Sequence, residues 1–230
     1  MLSELRNLTG KKVVITLSGG LDSTVLLYAL LKQGAEVFPV VVNYSQRHLR
    51  EIAHAMGLCN ALDLPPVVLS LGGFAALARG SSQTDDTVTV PYGHYADQTM
   101  RQTVVPNRNM VLLSLAAAYA VSLKADFVAY GAHSGDHAIY PDCRSQFVEA
   151  VGEAIYQGNY HTPRMLAPFL AISKANIVAL GAELNVPFAQ TYSCYEGEAE
   201  HCGKCGTCVE RKEAFALANV ADPTLYKVER

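Results

Sequence analysis

The segment 13–24, VVITLSGGLDST, constrains the fold of this chain more than any other stretch. An apolar, β-branched run typical of a buried strand enters a small glycine-rich turn, and helical patterning follows over residues 23–33. Unpaired backbone N–H groups at the start of that helix, with three hydroxyl side chains beside them, favour a bound phosphate. The alternative is a tight turn that only caps the helix, but the full SGGLDST string after a strand favours the phosphate site.

Strand and helix patterns alternate along the rest of the chain. Strands are predicted at 13–17, 37–43, 67–71 and 127–130, and helices at 23–33, 46–62, 108–123, 146–156, 173–185 and 209–218. This alternation predicts a doubly wound α/β architecture with a mostly parallel sheet, formed by residues 1–230 as a single domain. Segment 72–106 has no clear periodicity, and we expect it to be an ordered excursion over the active face.

Charge and hydropathy exclude several classes of partner. The chain has 230 residues and a net charge of −3, with 18 Lys and Arg against 21 Asp and Glu, so it has no overall basic field of the kind that nucleic-acid binders carry. Residues 1–12 are charged and lack an apolar core, and the longest apolar run, 111–123, is short and interrupted. We therefore expect a cytoplasmic protein that binds neither nucleic acid nor a membrane.

Four cysteines near the C-terminus have the spacing of a metal site. Three stand at two-residue gaps in CGKCGTC, and a fourth lies upstream; they are Cys194, Cys202, Cys205 and Cys208. Such a set predicts one structural Zn²⁺ held by four thiolates in a subregion at 187–230, with an iron–sulfur cluster as the alternative. Cys59 lies among apolar neighbours and is interpreted as a core thiol.

A second polar cluster follows the strand predicted at 127–130. The stretch GAHSGDHAIYPDCR, residues 131–144, stands where ligands bind in open parallel sheets, beyond the carboxyl end of a strand. Its candidate residues are His133, Asp136, His137, Tyr140, Asp142, Cys143 and Arg144. Whether Cys143 or the two histidines take part in catalysis stays open at this point.

The glycine-rich turn belongs to neither of the two commonest nucleotide loops. The chain has no GxxxxGK[ST] and no GxGxxG sequence. Its SGGxDS pattern instead resembles the pyrophosphate loop of the N-type ATP pyrophosphatases. That resemblance implies cleavage of ATP between the α and β phosphates and adenylation of a substrate oxygen.

Over nearly its whole length the chain resembles the 7-cyano-7-deazaguanine synthase family. The resemblance rests on SGGLDST, NYSQRH at 43–48, VPNRN at 105–109, YPDCR at 140–144, and TYSCYEG leading into CGKCGTC. Asn107 and Tyr192 stand where the family pattern has glycine and tryptophan. The resemblance implies an adenine-nucleotide alpha hydrolase-like fold, a homodimer, and conversion of 7-carboxy-7-deazaguanine and ammonia to the nitrile, with ATP and Mg²⁺ and with release of AMP and pyrophosphate.

The candidate site residues fall into three groups. The predicted ATP contacts are Leu17, Ser18, Gly19, Gly20, Leu21, Asp22, Ser23, Thr24, Val25, Leu26, Leu27, Asn43 and Tyr44. The predicted substrate contacts are Arg47, His48, Arg108, His133, His137, Tyr140 and Arg144. The predicted catalytic residues are Ser18, Asp22, Ser23, Asp142 and Cys143.

Two other functions remain compatible with the sequence. One is a pyrophosphate-loop enzyme that modifies tRNA with Cys143 as a sulfur carrier, which the acidic charge balance disfavours. The other is a noncatalytic nucleotide-binding or zinc-dependent module, which the intact Ser18, Asp22 and Ser23 disfavour. Binding of tRNA would indicate the first, and ATP binding without AMP formation would indicate the second.

Overall fold

The computed structural model describes residues 2–94 and 98–228. Within them, five parallel strands form one sheet, β1 (Lys12–Thr16), β2 (Glu36–Asn43), β3 (Val67–Ser70), β4 (Phe127–Ala129) and β5 (Arg164–Leu166). Their order across the sheet is β3-β2-β1-β4-β5. The predicted parallel α/β fold is confirmed. Sequence reasoning missed β5, because three residues at a sheet edge are too short to show a periodic pattern.

Helices cover both faces of the sheet. Their bounds are α1 (Leu21–Lys32), α2 (Arg50–Ala61), α3 (Phe74–Leu77), α4 (Arg108–Ser122), α5 (Ser145–Gly158), α6 (Lys174–Glu183) and α7 (Gly206–Leu217). Alternate side chains of β1 enter different cores: Val13 and Ile15 pack with α1, α2, α6 and α7, whereas Val14 packs with α4 and α5. The two-residue period of a strand therefore supplies both layers with apolar contacts.

The direction of strand addition reverses beside β1. The chain winds outward from β1 to β2 and β3, and then returns to place β4 and β5 on the other side of β1. The carboxyl ends of β1 and β4 therefore border a crevice, which is the usual position of a ligand site in an open parallel sheet. The turn after β1 and the loop after β4 both lead into this crevice.

Several predicted helix bounds differ from the observed ones. The helix predicted at 46–62 begins only at Arg50, after a turn over residues 47–49. The helix predicted at 209–218 begins three residues earlier, at Gly206, with Cys205 as its N-cap. Segment 72–106 contains α3 and a short 3₁₀ helix at Gln98–Thr103, and its residues 95–97 lie outside the described part of the chain.

None of the described helices is long and apolar enough to cross a bilayer.

Candidate active site

The turn between β1 and α1 is a rigid loop with its hydroxyl groups clustered. Gly19 has a φ of 83°, and a Cβ placed there would lie 2.2 Å from the carbonyl oxygen of Glu51, so only glycine fits against α2. Ser18 Oγ lies 3.0 Å from Ser23 Oγ and accepts a hydrogen bond from Gly20 N at 3.1 Å. Thr24 Oγ1 donates to the carbonyl of Gly20 at 2.7 Å. These bonds hold the loop open around the N-terminus of α1, where an anion is favoured.

This loop borders a cavity of about 220 Å³ at the carboxyl ends of β1, β2 and β4. Eleven of the predicted site residues line it: Leu17, Ser18, Gly20, Leu21, Asp22, Ser23, Tyr44, His48, Arg108, Tyr140 and Cys143. The fold thus brings together residues from four separate parts of the sequence.

A buried cluster of charged side chains lies beside the loop, at the start of α1. Lys174 Nζ lies 3.0 Å from Asp22 Oδ2 and 2.9 Å from Glu210 Oε2, with side chains only 11%, 23% and 12% exposed. His133 Nε2 lies 3.4 Å from the same ammonium nitrogen and 3.5 Å from Asp136 Oδ1. The cluster joins the first turns of α1 and α6 to α7.

The cluster fixes the charges of its two central members. Burial raises the pKa of Asp22, but the Lys174 ammonium and the neighbouring His133 ring outweigh burial, and the pKa lies below its ordinary value. Burial lowers the pKa of Lys174, but Asp22 and Glu210 outweigh it, and the pKa is raised. At neutral pH the loop therefore contains a carboxylate and an ammonium in direct contact.

Sequence reasoning missed Lys174 and Glu210. Lys174 follows Ser173, whose side chain accepts from Asn176 N and caps α6, so the pair looks like an ordinary helix start. Glu210 stands among other charged residues of α7. The local sequence distinguishes neither residue, because both meet only where three helices pack together. The one available signal was a lysine immediately after a helix cap.

The other end of the cavity combines tyrosines with an arginine. Arg108 Nη1 lies 3.5 Å from Tyr44 Oη, which places a guanidinium from α4 beside the end of β2. Tyr140 Oη lies 3.0 Å from Tyr195 Oη and also contacts Thr103 Oγ1. A guanidinium flanked by hydroxyl groups suits an anionic, planar ligand.

Cys143 is buried beside these groups. Together Tyr44, Arg108, Tyr130, Tyr140 and Cys143 form what we call the polar wall of the cavity. Tyr130 Oη lies 3.2 Å from its Sγ, and Asn109 Nδ2 lies at 3.9 Å. Burial raises the pKa of Cys143, and the nearby carboxylates of Asp136 and Asp142 add to the effect. The residue is therefore a neutral thiol at neutral pH.

The remaining predicted site residues have other surroundings and do not line the cavity. Arg47 donates to the backbone carbonyls of Ser82, Asp85 and Val88 at 2.7–3.2 Å and so anchors segment 72–106. Exposed Arg144 donates to His137 O at 2.9 Å. The rest are Gly19 and Thr24 within the loop, Val25, Leu26 and Leu27 in the core around α1, Asn43 bonded to Ser45 N, and His133, His137 and Asp142 in the segment after β4.

The four C-terminal cysteines form a separate buried cluster. One ligand atom from each of Cys194, Cys202, Cys205 and Cys208 lies within 4.8 Å of all the others. Backbone N–H groups of Cys202, Lys204 and Cys205 point at the sulfur atoms at 3.3–3.4 Å. Four convergent sulfurs with N–H donors around them fit a thiolate-bound metal, and α7 begins inside this cluster.

Comparison with known proteins identifies the family to which this site belongs. A family model described as "Queuosine biosynthesis protein QueC" matches residues 12–219. The chain belongs to the QueC family. The resemblance predicted from the sequence is thereby confirmed.

Curated QueC-family relatives match the chain almost end to end. The 7-cyano-7-deazaguanine synthase of Caldicellulosiruptor bescii is 49% identical over 218 residues, which are 95% of this chain and 98% of that protein. The synthase of the same name from Methanoregula boonei is 48% identical, over 94% of this chain and 99% of the relative. Both carry the same enzyme name, which is the family predicted above.

A solved structure supports the fold assignment at greater distance. The U34-tRNA thiolase NcsA from Methanococcus maripaludis, solved with its [4Fe-4S] cluster, superposes with a TM-score of 0.51 and 14% identity, covering 94% of this chain and 70% of that one. At that identity the likeness concerns the fold alone.

Proposed function

We propose that this chain uses ATP to convert 7-carboxy-7-deazaguanine and ammonia to 7-cyano-7-deazaguanine. The observation that carries the proposal is a single cavity lined by the Ser18–Ser23 hydroxyl pair, the Asp22–Lys174 ion pair and Arg108. One end suits the phosphates of ATP and the other suits a planar carboxylate. The names of the QueC-family relatives support the same reaction.

The reaction requires two activations of the same carbon. A carboxylate oxygen attacks the α-phosphorus of ATP and pyrophosphate leaves; ammonia then displaces AMP and gives the amide. The amide oxygen attacks a second ATP in the same way, and loss of AMP and protons gives the nitrile. The loop acts by positioning and by stabilising the charge that develops on the departing pyrophosphate.

The phosphate end is assigned to groups of the loop and the charge cluster. Ser18, Ser23 and the N–H groups at the start of α1 donate to phosphate oxygens, and the Lys174 ammonium adds positive charge. Asp22 Oδ1 is buried without a hydrogen-bond partner among the described residues, so this oxygen fits a cation. Mg²⁺ held there would supply further positive charge to the pyrophosphate. Tyr44 and Asn43, at the end of β2, are proposed neighbours of the adenine.

The acceptor end is assigned to the polar wall around Cys143. Arg108 binds the substrate carboxylate, and His48 and Tyr140 contact the deazaguanine ring. Cys143 acts as a neutral hydrogen-bonding group beside Asp142, because the adenylate already activates the carbon and needs no covalent nucleophile. Arg47, Arg144, His133 and His137 act, on this proposal, through the segments they hold.

For the four-cysteine cluster we propose one Zn²⁺ per chain in a structural role. Four sulfurs would complete a tetrahedral coordination sphere and leave no position for substrate. The iron–sulfur alternative predicts a brown protein containing iron and sulfide. Elemental analysis of the purified protein distinguishes the two.

The family resemblance further supports a cytoplasmic homodimer. Light scattering coupled to size-exclusion chromatography tests the dimer, because a mass of one chain contradicts it. Cell fractionation tests the location.

The decisive experiment is incubation with ATP, Mg²⁺, ammonium and 7-carboxy-7-deazaguanine, followed by mass spectrometry of base and nucleotide products. We expect the nitrile, AMP and pyrophosphate. ADP instead of AMP, or AMP formed only when tRNA is present, would contradict the proposal. Ser18→Ala, which removes one loop hydroxyl, serves as the inactive control.

A further inference from the structure

Helix α7 contributes to two sites at once. Its N-cap Cys205 and its third residue Cys208 belong to the four-cysteine cluster. Glu210, two residues further on, lies in the charge cluster at the ATP loop instead, where its Oε2 is 2.9 Å from Lys174 Nζ.

Lys174 depends on carboxylates from two different helices. Asp22 from α1 lies on one side of the ammonium and Glu210 from α7 lies on the other, at 3.0 and 2.9 Å. Asp22 and Lys174 line the cavity, whereas Glu210 does not, so Glu210 contacts Lys174 from outside the cavity.

The neighbouring residues keep α7 in register with the loop. Arg211 is fully buried and donates to Thr191 Oγ1 at 2.8 Å and to Phe188 O at 3.2 Å. Thr207 Oγ1 donates to Ser193 O at 2.6 Å, and Tyr192 N, within the same segment, donates to Gly19 O at 2.9 Å. The position of Glu210 relative to Gly19 is thus fixed by hydrogen bonds and not only by one ion pair.

We infer that Glu210 is a positioning residue, which holds the Lys174 ammonium at the phosphate end of the cavity and so makes helix α7 part of the ATP site. The inference rests on the proposed function only for its kinetic readout. Glu210 itself touches no substrate; it acts through Lys174.

The test is a double-mutant cycle of Glu210→Gln and Lys174→Met, with Glu213→Gln as control. Glu213 lies on the same helix with its side chain 48% exposed, so its variant is expected to behave as the parent. Glu210→Gln keeps the shape but loses the charge. We expect kcat for AMP release to fall about tenfold or more with the KM for ATP within about threefold of the parent, because the ammonium acts mainly on charge developing in the transition state. Metal content should stay at the parent value.

The cycle separates positioning from packing. If Glu210 acts through Lys174, the double variant is no slower than Lys174→Met alone, whereas a packing role gives additive losses. Additive effects, or a Glu210→Gln variant with parental kcat, would overturn the inference. The same cycle is measured on pyrophosphate affinity by calorimetry without a second substrate, because pyrophosphate already carries the charge that develops in the transition state. If the parent forms no AMP, the proposed function fails, and non-additive affinities still support the positioning role while additive ones reject it.

Discussion

Gly19 is the residue at which the glycine-rich loop between β1 and α1 meets helix α2. Its φ is positive, and a Cβ added there would come within 2.2 Å of Glu51 O, so no other residue fits without moving backbone. Gly57 lies in α2 itself, and a Cβ there would meet nothing within 4 Å. The same chemical change at the two positions therefore has opposite consequences.

We expect Gly19→Ala to lower the free energy of unfolding by about 3 kcal/mol, because it adds both left-handed strain and a backbone clash. Gly57→Ala is expected to raise it by up to about 1 kcal/mol, since alanine favours a helix interior. Urea unfolding of the two variants measures both effects. Equal stability of the two would contradict the described loop geometry.

Ser18 and Asp22 contribute to the loop without contributing to the core. Ser18 is exposed, and Asp22 is held by Lys174 at the cavity rim. We expect Ser18→Ala or Asp22→Asn to reduce AMP release by about 100-fold or more while the melting curve keeps its cooperative shape. Ser114→Ala, at an exposed hydroxyl on α4, is the control and should retain full activity. Parental AMP release by a folded loop variant would contradict the phosphate assignment.

Protonation of His48 makes the free energy of unfolding depend on pH. Burial lowers its pKa from 6.5; Glu51, at 3.4 Å, opposes that shift, and Arg108 adds to it. The folded protein thus holds the ring neutral, whereas the unfolded chain binds a proton more readily. Its contribution to stability is complete above pH 6.5 and falls as the pH drops from there towards the folded pKa.

We therefore expect the parent to lose more stability between pH 7.5 and about 5.5 than His48→Gln does. Urea unfolding at the two pH values gives the comparison. An unchanged loss in His48→Gln would mean that other groups account for the acid sensitivity.

At the scale of elements, α7 depends on the cysteine cluster for its first turn. The helix begins at Gly206, between two of the four cysteines, and Cys208 lies in its first turn. Without a shared ligand, four buried sulfur atoms within 4.8 Å have only weak hydrogen bonds to one another. A bound metal would therefore stabilise α7 and the segment that leads to it.

We expect Cys205→Ser or strong chelation to remove the metal and lower the melting temperature by several degrees, which corresponds to a few kcal/mol. Cys59→Ala, at a buried thiol in the main core, should lose some stability but keep its metal. Elemental analysis with a melting curve checks both. A Cys205→Ser variant with parental metal content would remove Cys205 from the ligand set.

Elements with strong local signals could be predicted from the sequence. The strand, glycine-rich turn and helix at 13–33 and the cysteine spacing identify β1, α1 and the cysteine cluster, because each signal is contained in about 20 residues or fewer. The three-residue β5 has no such signal. Nor does the contact between Lys174 and Glu210, which exists only because α6 and α7 pack beside the start of α1.

At the scale of the whole molecule, the proposed mechanism requires one cavity to serve both activations. The pyrophosphate loop and Arg108 line the same cavity. If the amide turns over within it, about two AMP form per nitrile from the acid and about one from the amide, since each oxygen leaves on its own adenylate. Chromatography of AMP and nitrile from either starting compound measures the ratio. A ratio near one from the acid, or an inert amide, would contradict a shared site.

The residues of the charge cluster lie far apart in the sequence, and this separation affects when the cluster can form during synthesis. The glycine-rich loop is synthesised before Lys174 and Glu210, which follow about 150 and 190 residues later. At a typical 5–20 residues per second, the loop waits on the order of ten seconds or more for its partners. A nascent chain that ends before Glu210 thus has the glycine-rich loop without a complete charge cluster.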